Sequence, residues 1–244
     1  MISDTYTLDN LGVEHLMKLT IITVCWNSEK TISQTINSVV AQNFPNLEYI
    51  IIDGGSLDNT CEIISKKMAH VDKFISEPDN GIYDAMNKGI NLATGDVIGF
   101  LNSDDFYFSS NVLNQIGRLF SEGDIDSCYG DLCYFDPANT KKNIRYWKSG
   151  NYVKGSFARG WVPPHPTFFV KRSILEQYGQ FDLSFPIAAD FDLMARLLEK
   201  HEISSKYISE TLVKMSTGGA SDKGIKGLIS QNLEILRALK KNQL

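Results

Sequence analysis

Hydrophobic and polar positions divide the chain into a regular first part and a less regular second part. Residues 19–25, 47–52, 71–75 and 97–101 are short, mainly apolar and rich in β-branched side chains, as strands covered on both faces of a sheet are. Helical patterns separate them. Ser28 stands as the N-cap of a segment that carries Ile32, Ile36, Val39 and Val40 on one face. Asp58 heads a second segment with Cys61, Ile64 and Met68 turned inward, and residues 83–93 form a third, stopped by Thr94-Gly95. Strands alternating with helices in this way predict a parallel sheet with right-handed crossovers.

After Asp105 the pattern changes. A helix at 111–120 leads into an alternating strand at 128–135, a turn at Asp136-Pro137-Ala138-Asn139 and a strand at 144–147. Pro163-Pro164-His165-Pro166 is a rigid segment before an apolar strand at 167–170. Helices follow from Ser173 and over 189–200, interrupted at Gly179-Gln180-Phe181-Asp182. Two short strands at 203–208 and 212–215 precede a Gly218-Gly219 loop. The tail, 223–241, is an amphipathic helix bearing Ile225, Leu228, Ile229, Leu233, Leu236 and Leu239. This second part reads as antiparallel. The fold class is therefore α/β, with a mostly parallel central sheet flanked by helices and a smaller antiparallel portion. The expected organisation is an N-terminal arm (1–17), one body (18–222, dividing into 18–105 and 106–222) and the C-terminal helix (223–244), with no internal repeat.

Composition narrows the class. With 244 residues, 43% hydrophobic and 22% charged, the chain has the make-up of a globular protein with a sizeable core. A formal net charge of -5 argues against a nucleic-acid partner. The cysteines show no zinc-type pairing, and Cys25 and Cys61 lie in apolar patterns as buried thiols would in the cytoplasm. No apolar run approaches the roughly 20 residues of a membrane-spanning helix, and the first residues lack the layout of a signal peptide. A cytoplasmic protein, at most peripheral at the inner face of a membrane, is expected. The amphipathic tail is open to three uses: docking on the body, pairing two subunits, or lying on a membrane surface, with Lys240-Lys241 at its end for anionic lipid.

Open α/β sheets bind ligands beyond the carboxyl ends of their strands. Residues 97–101 run into Asn102-Ser103-Asp104-Asp105, so two adjacent carboxylates fall at that edge. Adjacent acids repel, and a divalent cation relieves the repulsion; Ser and Asp also begin helices, and the pair alone fits either reading. Asp53 ends the second strand on the same edge, followed by Gly54-Gly55-Ser56. No Gly-x-Gly-x-x-Gly and no Gly-Lys-Ser/Thr loop is present, so a dinucleotide fold and a P-loop are unsupported. Asn87 and Lys88 are candidates for phosphate or ribose, Lys88 as a point charge, although a solvated helix face is the slightly favoured reading of Lys88 alone. Asp190 heads a helix, as a cap or as a general base at the rim of the crevice. His165 and Trp161, in the loop-rich stretch near 147–166, are acceptor-side candidates, and a structural loop histidine is an equal reading of His165.

Taken together, Thr20-Ile21-Ile22-Thr23-Val24 to Asn27, Ile52-Asp53-Gly54-Gly55-Ser56-Leu57-Asp58-Asn59-Thr60, Asn87-Lys88-Gly89, Ala93-Thr94-Gly95-Asp96 and Ser103-Asp104-Asp105 resemble a family 2 glycosyltransferase. Gly179-Gln180-Phe181-Asp182 and Ala189-Asp190-Phe191-Asp192-Leu193 continue the resemblance in order and spacing over roughly 18–215. It implies a GT-A fold and inverting transfer of one sugar from a UDP-, GDP- or dTDP-linked donor to a glycan or lipid-linked glycan, as in bacterial surface-polysaccharide synthesis. By similarity Asp53 would hydrogen-bond the base, Asp104 the ribose or sugar, Asp105 would ligate Mg²⁺ or Mn²⁺ on the diphosphate, and Asp190 would be the base. Two departures stand out. Gly54 replaces the second acid of the usual Asp-Asp-Gly-Ser, and Ala189 the acid often found before the base. The Gln-x-x-Arg-Trp motif of processive synthases is absent, which implies release after one transfer. The rival expectations are an inactive nucleotide-sugar-binding partner subunit and a nucleotidyltransferase of related architecture, whose basic, glycine-rich loop after the first strand is missing here.

Overall fold

A computed structural model of the chain describes residues 6–8, 14–217 and 224–244, with side chains described for 17–217 and 227–244. β1 (Tyr6–Leu8) and β2 (Glu14–Leu16) form an antiparallel pair of their own where an unpatterned arm was expected. The regular part then follows as β3 (Leu19–Cys25), α1 (Ile32–Val40), β4 (Leu47–Asp53), α2 (Thr60–Ser65), β5 (Lys73–Ser76), α3 (Ile82–Leu92) and β6 (Val97–Phe100). The second part contains β7 (Phe106–Tyr107), α4 (Val112–Glu122), β8 (Ser127–Asp136), β9 (Asn139–Trp147), β10 (Phe169–Lys171), α5 (Arg172–Tyr178), α6 (Ala189–Ala195), β11 (Ser205–Ser216) and α7 (Gly224–Asn242).

The main sheet runs β5-β4-β3-β6-β10-β8-β11-β7, with β9 added to β8. β3, β4, β5 and β6 pair in parallel, as the βαβ pattern predicted. Alternation along each strand feeds two cores. Ile22, Val24, Ile50, Ile52, Ile98 and Phe100 face one, with α3, α5 and α6; Leu19, Ile21, Tyr49, Ile51 and Val97 face the other, with α1 and α4. A Cβ at Gly99 of β6 would collide with the Phe169 ring, so glycine lets β10 lie close beside β6.

The second part departs from an antiparallel reading. β10 is antiparallel to both β6 and β8, which makes β8 parallel to β6, and β11 is parallel to β8. Only β7, β9 and β10 run against the rest of the sheet. The two short strands expected over 203–215 are one strand, β11, with register shifts between Tyr207 and Thr211 and again before Val213. Polar Ser209-Glu210 masks this continuity in the sequence. The Gly218-Gly219 loop lies outside the described residues. Because β10 pairs only with Cys128 and Ser127, the distal half of β8 is left for β9, through Leu132 to Asp136. The β8–β9 pair therefore extends past the carboxyl edge of the sheet and makes a wall there.

Smaller differences have local causes. α1 begins at Ile32, and the Ser28 side chain bonds Ser103 Oγ at 2.8 Å instead of capping the helix. α2 ends at Ser65, so Met68 falls in a 3₁₀ turn and is 41% exposed. α6 passes into a π-turn over Arg196–Lys200. α7 packs on α6 through buried Ala238 and half-buried Ile235 and Leu239. Among the described residues no helix is long and apolar enough to cross a membrane.

Candidate functional site

A cleft of about 1380 Å³ opens at the carboxyl edge of β3 and β6. Trp26, Asn27 and Ser28 after β3, Asn102, Ser103 and Asp104 after β6, and Asp79 before α3 line one side. Tyr134, Ile144, Arg145 and Trp147 of the β8–β9 wall, His165 with its flanking prolines, Asp190, and Leu228, Gln231 and Ile235 of α7 line the remainder. The sheet edge thus brings Asp104, Asp190 and His165 to one space. Asp53 does not line it, because its carboxylate is turned into its own loop.

The sequence places Asp104 and Asp105 together, and the structure gives them different environments. Asp104 lines the cleft, half-buried, and burial pushes its carboxyl up. Asp105 is 1% exposed; its Oδ1 accepts the Ser216 N–H at 3.2 Å, and its Oδ2 has no hydrogen-bond partner among the described residues. Burial, and then the charge of Asp104, raise the Asp105 carboxyl well above its ordinary range, which the Ser216 N–H only partly offsets. The Oδ1 of Asn102, in the same loop, is likewise buried and unpartnered. A charge left short of donors in this way is costly unless a cation supplies the balance.

The donor set bears on which cation. Among the described residues no three His, Cys, Asp or Glu side chains form a metal cage. Mg²⁺ is commonly held by one or two carboxylates together with substrate phosphates. Asp104 and the orphaned oxygen of Asp105 fit that arrangement.

Asp53 is different again. It is fully buried, and its Oδ2 accepts from Gly55 N–H (3.1 Å), Ser56 N–H (2.9 Å), Ser76 Oγ (2.7 Å) and Cys61 Sγ (3.3 Å), while Oδ1 accepts from Ser56 Oγ and Cys25 Sγ. Burial alone would raise this carboxyl, and the Ser56 and Ser76 bonds outweigh it and hold it low. Gly55, at φ +79°, makes the turn that aims these N–H groups inward. Both oxygens accept bonds from the loop and from Cys25, Cys61 and Ser76, and in this arrangement the carboxylate orders the turn.

Asn87 and Lys88 also lie away from the cleft. Asn87 bonds both the N–H and the carbonyl of Phe181, at 3.1 and 2.9 Å, and ties α3 to the segment before α6. Lys88 pairs with Glu77 at 2.9 Å and bonds the Pro78 carbonyl. Trp161 donates its Nε1–H to the Ser149 carbonyl and packs among Tyr129, Tyr152 and Phe157; it does not line the cleft. Of the acceptor-side pair only His165 remains at the site. Its ring packs against Phe100 and Phe181, and its Nε2 has no partner among the described residues. Burial lowers its pKa, so it is neutral at pH 7.

Asp190 is half-buried at the start of α6 and lines the cleft. Its Oδ1 lies 3.0 Å from Tyr83 Oη of α3, a residue that sequence reasoning used only as a helix boundary. Burial, and then the Asp190 charge, push the Tyr83 hydroxyl far above its usual range and keep it a neutral donor. A tyrosine in the first turn of a helix after Asn80-Gly81 carries no signal of this contact. The Ser28–Ser103 bond, which ties the loops after β3 and β6, is equally silent in the sequence.

Known proteins share the sequence pattern and the fold. The family model described as glycosyl transferase family 2 matches residues 20–179, a span that contains Asp53, Asp104, Asp105 and His165 and stops short of Asp190. A PGL/p-HBAD biosynthesis glycosyltransferase of Mycobacterium bovis is 26% identical over 191 residues, covering 77% of this chain and 72% of the relative. Among solved structures, Staphylococcus aureus TarS (1–349) in complex with UDP-GlcNAc superposes with a TM-score of 0.69 at 18% identity, covering 91% of this chain and 66% of that one. The mannosyltransferase PcManGT of Pyrobaculum calidifontis, in complex with GDP-Man and Mn²⁺, gives 0.67 at 16% identity, covering 90% and 64%. The chain spans slightly under two thirds of those solved chains, and these likenesses establish a shared GT-A-like fold.

Proposed function

The chain belongs to glycosyl transferase family 2, and from that premise we propose that it transfers a single sugar, with inversion, from a nucleoside diphosphate sugar to a hydroxyl of a glycan or lipid-linked glycan. One observation carries the reading. Asp104, beside the undersatisfied Asp105, and Asp190, on an element from the other half of the chain, line the same cleft. The division of labour follows the sheet: residues 18–105 hold the donor and residues 106–222 the acceptor.

Asp104 and Asp105 would hold a divalent cation, Mg²⁺ or Mn²⁺, which when bound would supply neutralising charge at the diphosphate leaving group. Asp53 acts on the donor indirectly, through the Gly54–Ser56 backbone that it orders. The Asp190 carboxylate accepts the proton of the acceptor hydroxyl, whose oxygen attacks the anomeric carbon from the face opposite the diphosphate. The new C–O bond forms as the bond to the diphosphate oxygen breaks, through an oxocarbenium-like state, and the anomer inverts. Neutral His165, packed against the Phe100 and Phe181 rings, donates or accepts one hydrogen bond to the acceptor.

A lipid-linked acceptor places the work at the cytoplasmic face of a membrane. α7 supports this: Ile229, Leu233 and Leu236 are exposed on the side opposite buried Ala238, with exposed Lys240 beside them. The experiment is a thermal-shift screen of nucleoside diphosphates and their sugars with and without Mn²⁺, followed by turnover assays on the hits. Cation-dependent stabilisation with turnover supports the proposal. Stabilisation without turnover on any acceptor points to a nucleotide-sugar-binding partner subunit.

A further inference from the structure

The turn that delivers Asp190 is held from two sides by elements distant in sequence. From α7, Glu234 Oε2 accepts the N–H groups of both Ile187 and Ala188 at 2.9 Å. From α3, Tyr83 Oη donates toward the Ile187 carbonyl at 2.8 Å and Asp190 Oδ1 at 3.0 Å, sharing its one proton between them. Residue Ile187 is thus pinned at its N–H by one helix and at its carbonyl by another. Further bonds bring α7 onto the same segment: Arg237 to the Ser184 carbonyl, Lys241 to Asp182, and Asn242 to Asp192 at 2.9 Å.

Glu234 is the sole acid of residues 224–244. Neighbouring positions on the helix are apolar, hydroxyl, amide or basic, and the ion pairs that α7 forms among the described residues are made by Lys241 rather than Glu234. Its carboxylate goes instead to the two backbone donors that precede the first turn of α6 and have no partner inside that helix. An N–H pair left without an acceptor in a packed turn is expensive and would let the turn relax. A base displaced by about 1 Å loses rate on the order of 10²-fold even when binding is intact.

We propose that Glu234 is a positioning residue for Asp190, so that the C-terminal helix is part of the catalytic machinery and not only a docking appendage. The proposal rests on the assignment of Asp190 as base. Glu234 touches neither donor nor acceptor; it fixes where the base stands, with Tyr83 as the opposing contact.

The test uses the full chain with Glu234→Ala, Glu234→Gln and Asp190→Asn, and two readouts. The first is Mn²⁺-dependent turnover of the donor that the nucleotide screen selects. The second is hydrogen–deuterium exchange of the amides at 187 and 188. Glu234→Ala should lower kcat at least tenfold with donor KM within twofold of the parent, and speed exchange at both amides at least tenfold. Glu234→Gln should keep most of the turnover and protection, because one amide oxygen can accept both N–H groups. Unchanged exchange in Glu234→Ala overturns the proposal whatever the activity. Faster exchange with unchanged kcat, or equal losses in the Gln and Ala variants, overturns it as well. Full turnover by Asp190→Asn would instead remove the base assignment, and with it the role given to Glu234, while the exchange result would still report the contact.

Discussion

The loops after β4 and after β6 each bury an aspartate at the carboxyl edge of the same sheet, and they treat it in opposite ways. Asp53 is surrounded by backbone and hydroxyl donors from its own loop and from Ser76, and its carboxyl is held low. Among the described residues Asp105 has one N–H donor, an oxygen without a partner and an acidic neighbour, and its carboxyl is pushed up. A buried carboxylate whose lone pairs are used stabilises its loop; one left short carries a desolvation cost that a ligand can relieve. The contrast separates two environments at positions that look alike in the sequence.

The largest effect expected is at the base. Asp190→Asn should lower transfer by about 10²–10⁴-fold, the range that general-base catalysis supplies, with donor affinity unchanged by calorimetry. Asp105→Asn comes next. It should abolish the Mn²⁺-dependent shift in Tm produced by the nucleotide, and without metal it should melt higher than the parent, because the neutral amide removes the cost of burying or protonating this carboxylate. The sign follows from the raised carboxyl. The folded state holds the proton more tightly than the unfolded state, so this group favours folding at low pH and disfavours it as pH rises above the ordinary value of 3.8.

Asp53→Ala should act in the opposite direction, destabilising the apo protein by about 1–3 kcal/mol through its stranded loop donors, measurable by urea denaturation. Its lowered carboxyl contributes stability above pH 3.8 that is lost as pH falls through the folded value. Destabilisation by Asp105→Asn, or indifference to Asp53→Ala, would break the comparison. The smallest effect belongs to Asn87→Ala, which loses two bonds to the Phe181 backbone: about 1–2 kcal/mol of stability and no change in nucleotide affinity.

How much of this was legible in the sequence follows from the range of the signal. The βαβ half was readable because apolar periodicity and glycine stops are local, and β3, β4 and β6 fall where the β-branched runs place them. Asp104, Asp105 and Asp190 were readable as acids at element ends. The direction of β8 and β11 was not, since parallel pairing between residues 127 and 205 leaves no local trace. Nor was the sorting of the acids: whether Asp53 is saturated depends on Ser76 and Cys61, which arrive from other elements. Asn87 and Lys88 belong to a motif of the family resemblance yet bond Phe181 and Glu77, because residue type does not fix which side of α3 meets the cleft. Tyr83 and Glu234 meet Asp190 and its turn only through tertiary packing.

The most direct measurement of the central claim is calorimetric titration of the parent, Asp105→Asn and Asp190→Asn proteins with the nucleoside diphosphate selected by the screen, with and without Mn²⁺. Metal-dependent binding in the parent and in Asp190→Asn, lost in Asp105→Asn, is the result predicted for a cation held between this loop and the diphosphate. Metal-dependent binding of equal strength in all three proteins would contradict it.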